Sequence, residues 1–301
     1  MTTVPDAATP RTEDPVLRFG HSPDPDDAFM FYGLAKGAVT IPSPSGAPYA
    51  VEHVLADIQT LNEMARAGEL EVTAISAHAY PEVADKYWIL HCGASMGIGY
   101  GPIVVARPDG PESVAALEGK TLAIPGRLTT AWLVAQLFLP EIEPEVVMFD
   151  EIPGAVAAGE VDAGLVIHEG QITYADQGLV KLVDLGEAWR EETDLPLPLG
   201  LDVVRRDLGR QSAEAVARGL HDSIAYAFEN EDDAVAYALD FGRGLDTERA
   251  RRFVKMYVND YTLDMGEEGA RALETLFARG AGAGLIRPVE DIEWIGSSSR
   301  G

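Results

Sequence analysis

Val16-Leu17-Arg18-Phe19-Gly20-His21-Ser22-Pro23-Asp24-Pro25-Asp26-Asp27-Ala28-Phe29-Met30-Phe31-Tyr32-Gly33-Leu34 is the stretch whose reading decides the fold. Val16 to Phe19 reads as a short apolar strand. Ser22-Pro23-Asp24-Pro25 then opens a helix, with Asp24 as N-cap and Pro25 at the first helical position, where a missing N–H is not missed. Phe29, Met30 and Leu34 supply its buried positions, and Lys36-Gly37 ends it. A strand that runs straight into a capped helix is the building unit of an α/β protein.

The same alternation continues downstream. After a Pro/Ser/Gly-rich turn at Pro42 to Pro48, Val51 to Leu55 reads as a strand. Asp57 caps a helix with Ile58, Leu61, Met64 and Ala65 on one face, Gly68 closes it, and Val72 to Ile75 is the next strand. Further strands are expected at Ile103 to Ala106, Thr121 to Ile124, Val146 to Phe149 and Ala163 to Ile167, with helices starting near Thr130 and Ile152. Such alternation predicts mainly parallel sheets with right-handed crossovers. From about Ala213 only helical patterns remain, led by the stripe Val216, Leu220, Ile224 and Phe228, and Glu229 to Asp233 reads as a solvated turn. No internal repeat or long linker is visible. The expected architecture is two α/β lobes with a helical C-terminal third.

Composition narrows the function. The 301 residues are 47% hydrophobic and 24% charged, the balance of a soluble globular protein. A formal charge of −26 disfavours nucleic acid and anionic membranes as partners. Cys92 is the single cysteine, so an intrachain disulfide and a multi-cysteine metal site are both excluded. Residues 1–15 read as a polar, disordered tail without the basic and apolar regions of a signal peptide. No apolar run reaches the ~18 residues of a membrane span. The expectation is a cytoplasmic protein.

Three segments carry possible chemistry. Gly126-Arg127-Leu128-Thr129-Thr130-Ala131-Trp132 joins a strand to an apolar helix, so its hydroxyls and first N–H groups suit a carboxylate or phosphate; a plain helix cap is the competing reading. Asp162 to Glu169 runs an apolar strand into His168, placing a neutral imidazole, competent as a general base near neutral pH, at a sheet edge; a purely structural His competes. Ser76-Ala77-His78-Ala79-Tyr80 also follows a strand and offers hydroxyl, imidazole and backbone donors, or else an ordinary loop. Gly93 to Pro102 is Gly-rich without the order of a nucleotide cradle, and suits a hinge or a close backbone approach. Asp24, Asp26 and Asp27 match no EF-hand, and a capped helix start explains them without a metal.

In this order, the segments Ser22 to Phe29, Ser76 to Tyr80, Gly93 to Pro102, Ile124 to Ala131, Ile167 to Tyr174, Leu195 to Gly200 and Met256 to Thr262 resemble a known family. The resemblance, from about Val16 to Ile286, is to the 1,4-dihydroxy-6-naphthoate synthases of the futalosine route to menaquinone, sisters of the chorismate dehydratases. It implies a type II periplasmic-binding-protein-like fold with lobe one at 16–104 plus 200–301 and lobe two at 105–199. It implies a carbon–carbon lyase without a cofactor or metal, acting on a small carboxylated substrate, cyclic dehypoxanthine futalosine. By resemblance His168 matches the catalytic base, Thr129, Thr130 and Ala131 a substrate-binding turn, and Ser76, Ala77 and His78 a second binding loop. The family's usual opening has Cys and Asn where this chain has Asp24 and Asp26. A chorismate dehydratase, or a non-catalytic solute-binding protein for a small carboxylate, is the alternative; the segment His168 to Tyr174 favours the naphthoate synthase.

The acid excess also fits adaptation to high salt. Screening of self-repulsion then predicts a melting temperature that rises steadily as salt is added. A thermal melt series in which stability stays flat or falls with salt would count against that reading.

Overall fold

A computed structural model describes residues 15–241 and 246–296. The tail expected over residues 1–15 lies, Pro15 apart, outside the described residues. Strands β1 (Val16–His21), β2 (Ala50–Leu55), β3 (Val72–Ser76), β4 (Tyr87–Leu90) and β5 (Ser95–Gly97) come first. They are followed by β6 (Ile103–Ala106), β7 (Thr121–Ile124), β8 (Glu143–Val146), β9 (Ala163–Val166), β10 (Val180–Asp184), β11 (Leu197–Arg205) and β12 (Trp294–Ile295). Two sheets result. One has the order β12-β4-β11-β3-β1-β2, with β5 also on β11, and the other β10-β6-β9-β7-β8.

The local signals act as the sequence implies. Asp24 caps the helix Pro25–Met30 through the Asp27 N–H, and Asp57 caps Ile58–Ala67 through the N–H groups of Gln59 and Thr60. Gly68 ends that second helix at φ 73, a left-handed conformation in which a Cβ is strained. Asn230 separates the helices Arg210–Glu229 and Glu231–Leu239, where the solvated turn was expected.

The sheets are mixed rather than mainly parallel. Helical crossovers keep β1 parallel to β2 and β3, and β7 parallel to β8 and β9. The chain passes between sheets at β6 and returns at β11. β6 runs against β9 and β10, and β11 against β3, β4 and β5. The strand expected at Val146 to Phe149 instead ends at Val146. Its true body, Glu143-Pro144-Glu145-Val146, is an edge strand pairing only with β7, and Val146 is largely exposed. Charge and proline are how edges are usually blunted, and they hide the strand from an apolar-run reading.

Two apolar clusters hold the layers together. Helix Arg210–Glu229 buries Val216, Leu220 and Ile224 with Leu17, Phe19 and Phe29 of the first sheet's outer layer. Helix Gly266–Gly282 packs Leu273, Leu276 and Phe277 into a cluster that joins both sheets, from Ile75 and Leu201 to Leu133 and Trp189. β11 also carries Asp202 into the interior. Asp202 is 1% exposed, and among the described residues neither oxygen has a hydrogen-bond partner. It presses on Gly93, at φ 83, where an added Cβ would lie 2.0 Å from Asp202 Oδ2. The Gly-rich segment therefore serves close approach of two chain segments at this point. Burial pushes the Asp202 carboxyl up to about 8.

Within the C-terminal stripe, Leu220 is fully buried but Phe228 is 38% exposed. Leu220→Ala should cost about 2–5 kcal/mol and Phe228→Ala distinctly less, measured by chemical denaturation. Comparable losses would contradict this register. Asp202 has a folded pKa above its unfolded value, so its contribution to stability is intact below about pH 4 and is lost as pH rises through about 8. Asp202→Asn should therefore gain melting temperature over the wild type progressively across that window. A difference that does not change with pH would contradict the buried neutral acid.

Candidate active site

Four strand ends converge on one cleft. β1 leads into Ser22 and Asp24, β3 ends at Ser76, β7 leads into Gly126 to Thr130, and β9 leads into His168. Carboxyl ends of strands are where open α/β sheets bind ligands, because the loops there face each other over the sheet edges. The cavity there measures about 100 Å³, and Asp24, Asp26, Ser76, Thr130, His168 and Tyr257 are among its lining residues.

The turn after β7 is built for close approach. Gly126 adopts φ 158, and a Cβ there would sit 2.3 Å from Gln59 Oε1. That Gln59 oxygen accepts the Leu128 N–H at 3.0 Å, tying the turn to the first sheet's helix Ile58–Ala67. Thr129 caps helix Thr130–Phe138: its Oγ1 accepts from the Trp132 N–H and donates to the Gly126 carbonyl at 2.8 Å. Thr130 Oγ1 donates to the Leu199 carbonyl at 2.7 Å and accepts the His78 N–H at 3.2 Å. Both hydroxyl protons are thus committed to protein carbonyls. The groups left to meet an anion are the N–H groups of Thr130 and Ala131, which lie in the helix's first turn and have no intrahelical acceptor.

The Ser76 loop divides. Ser76 reaches the cavity and is fixed by Asn62, whose Oδ1 accepts the Ser76 N–H at 2.8 Å and whose Nδ2 donates to Ser76 Oγ at 3.1 Å. Ala77 is fully buried in the apolar core. His78 stands behind the cavity wall: its Nδ1 contacts the Thr129 carbonyl at 3.0 Å, and burial lowers its basicity. The structure therefore brings Ser76, Thr129, Thr130, Ala131 and His168 to the cavity, and sets Ala77 and His78 in support.

His168 occupies φ 52, a left-handed conformation. For a residue with a Cβ this costs about 1–2 kcal/mol, and such strain persists where surrounding contacts over-determine it. The contacts are present. The Phe149 ring meets the imidazole nearly edge-on at 4.8 Å, and His168 Nδ1 lies 3.2 Å from Asp24 Oδ2.

Composition of the site beyond His168 follows from burial. The acids Asp24, Asp26 and Asp27 and the phenol of Tyr257 all line the cavity, with no Lys or Arg among the described lining residues. Asp26 and Asp27 are pushed well up, first by burial and then by the Asp24 charge beside them. This favours their neutral forms, which can donate a hydrogen bond, although Asp27 Oδ2 also accepts the Ser22 N–H at 2.6 Å, which opposes the shift. Tyr257 is also pushed well up by burial and stays protonated; among the described residues its hydroxyl, like Asp26 Oδ1, has no hydrogen-bond partner. Asp24, Asp26 and His168 bring ligand-type atoms within 4.8 Å of one another. Sequence reading missed Asp26, Asp27 and Tyr257 as lining groups. An N-cap explained the acids, and the Phe253 and Tyr257 pattern is that of an ordinary buried helix face.

Among the described residues, no helix is long and apolar enough to cross a membrane. The profile of a family described as "Menaquinone biosynthesis" matches residues 17–282. The chain is 44% identical over 272 residues to a 1,4-dihydroxy-6-naphthoate synthase of Thermus thermophilus, covering 90% of this chain and 96% of that one. A crystal structure of an Archaeoglobus fulgidus protein superimposes with a TM-score of 0.83 at 51% identity, covering 90% of this chain and 98% of the other. At 10% identity, a Candida albicans protein described as having the generic periplasmic-binding-protein fold superimposes with a TM-score of 0.68 over 95% of this chain and 99% of its own. The chain belongs to the menaquinone-biosynthesis family, carried on the two-lobed periplasmic-binding-protein scaffold.

Proposed function

We propose that this protein is a carbon–carbon lyase that converts cyclic dehypoxanthine futalosine to 1,4-dihydroxy-6-naphthoate in the cytoplasm, with His168 as general base and no metal or cofactor. The observation that carries the reading is His168 itself, held in a strained conformation after β9 and lining a cavity that the N-terminus of helix Thr130–Phe138, which follows the neighbouring strand β7, also lines. The name of the Thermus relative supplies the reaction. We take residues 16–104 plus 200–301 as lobe one and 105–199 as lobe two; the two sheets divide the strands in this way except at the bounds, which fall inside β6 and β11.

The chemistry follows from what faces the cleft. The substrate carboxylate meets the N–H groups of Thr130 and Ala131, with the Ser76 hydroxyl beside them. The neutral Asp26 and Asp27 and the Tyr257 phenol donate to its other oxygens, so a cleft rich in acids still receives an anion. His168 takes a proton from the sugar-derived part, the bond to the three-carbon fragment breaks, and aromatisation of the ring system supplies driving force. A cavity of about 100 Å³ is smaller than the ~300–1,000 Å³ of most ligand pockets. The lobes part to admit the ring system and close to exclude water.

Purified protein incubated with cyclic dehypoxanthine futalosine should release 1,4-dihydroxy-6-naphthoate, followed by chromatography. His168→Ala should lower the rate by about 10²–10⁴ with substrate affinity largely kept. Tight binding without turnover would assign a solute-binding protein, and turnover of chorismate instead would assign the sister enzyme.

A further inference from the structure

Among the described residues, Asp24 makes a polar contact with the His168 ring from the other sheet's side of the cleft. Asp24 follows β1 in the first sheet, and His168 follows β9 in the second, so their 3.2 Å contact spans the cleft. Asp24 is 2% exposed and its orientation is set by the backbone. Its Oδ1 accepts the Asp27 N–H at 3.2 Å as the helix cap, which leaves Oδ2 pointing at the imidazole. Pro23 and Pro25 on either side restrict the loop that carries it. Phe149 packs nearly edge-on against the same ring, with centroids 4.8 Å apart.

We infer that Asp24 is the positioning residue for His168: its carboxylate accepts the Nδ1 proton and so presents the unprotonated Nε2 to the substrate. This rests on the general-base reading of His168. An imidazole has one donor and one acceptor nitrogen when neutral, and the partner of one fixes the role of the other. With the acceptor held on a different lobe, the base acquires its tautomer and its aim when the cleft closes. The charged and titratable groups around the ring are Asp24, Asp26 and Asp27 before and within the first helix, Glu169 beside it, and Tyr257 on helix Thr247–Tyr257. Of these acids Asp24 is the one whose carboxyl oxygen makes the 3.2 Å contact with Nδ1.

Asp24→Asn tests this while keeping the fold, because Asn is an equally good helix cap. An amide in this place loses the charge and can donate to Nδ1, which favours the wrong tautomer. The rate constant at saturating substrate should fall by about 10²–10⁴, with KM changed only a few-fold and an unaltered melting temperature. Nitrogen-15 NMR of the His168 ring should report Nδ1–H as the neutral tautomer in the wild type, with loss of that preference in Asp24→Asn. A variant with the wild-type rate and ring tautomer would overturn the inference, while loss of activity in His168→Ala would leave the general-base reading standing. If His168→Ala stays fully active, the general-base reading fails, and the ring spectra alone decide whether Asp24 sets the tautomer.

Discussion

The contact of Asp24 with His168 joins two strand ends that belong to different sheets. Every other feature of the cleft is arranged around that span. β1 must deliver a capped helix whose N-cap carboxylate has one oxygen to spare, and β9 must end in a residue willing to turn left-handed. The strain at His168 and the burial of Asp24 oppose folding locally, and the apolar cluster that runs through both sheets offsets them. Site and scaffold are therefore coupled: the helix Gly266–Gly282 and Trp189, far from any reacting atom, hold the sheets at the separation the site requires.

An acidic protein that receives an acidic ligand poses an electrostatic problem, and the cleft resolves it by protonation and backbone geometry rather than by basic side chains. Burial pushes Asp26, Asp27 and Tyr257 towards their protonated forms, so groups that would repel a carboxylate become donors. The helix N-terminus at Thr130 contributes N–H groups that carry no net charge. The threonine hydroxyls, the obvious donors by type, are spent on Gly126 and Leu199. Their role is to hold the turn in place so that its backbone can bind.

Much of this was legible in the sequence. Asp24 before Pro25, Asp57 before Ile58 and Gly68 after Ala67 punctuate their helices in the way their chemistry dictates, and His168 follows an unbroken apolar strand. The mixed sheets were not legible, since strand direction depends on where the chain changes sheet and no local pattern records that. β11 was hidden by Pro196 and Pro198, tolerated because the pairing with β5 shifts register next to Pro198. Among the site residues, Ala77 and His78 share a segment with Ser76 but not its direction, and only the three-dimensional path of the loop separates them. Tyr257 had no distinguishing signal: a tyrosine facing a polar cavity and one facing core carry the same helical spacing.

The account's central claim is that a carboxylated ligand lies in the cleft with its carboxylate on the N-terminus of helix Thr130–Phe138 and its sugar-derived part beside the imidazole of His168. A crystal structure of the His168→Ala variant holding uncleaved cyclic dehypoxanthine futalosine tests it directly. The account predicts the substrate carboxylate on the N–H groups of Thr130 and Ala131, with the sugar-derived part beside the space the imidazole vacates. A substrate bound outside the cleft, or with its carboxylate turned away from that helix end, would contradict it.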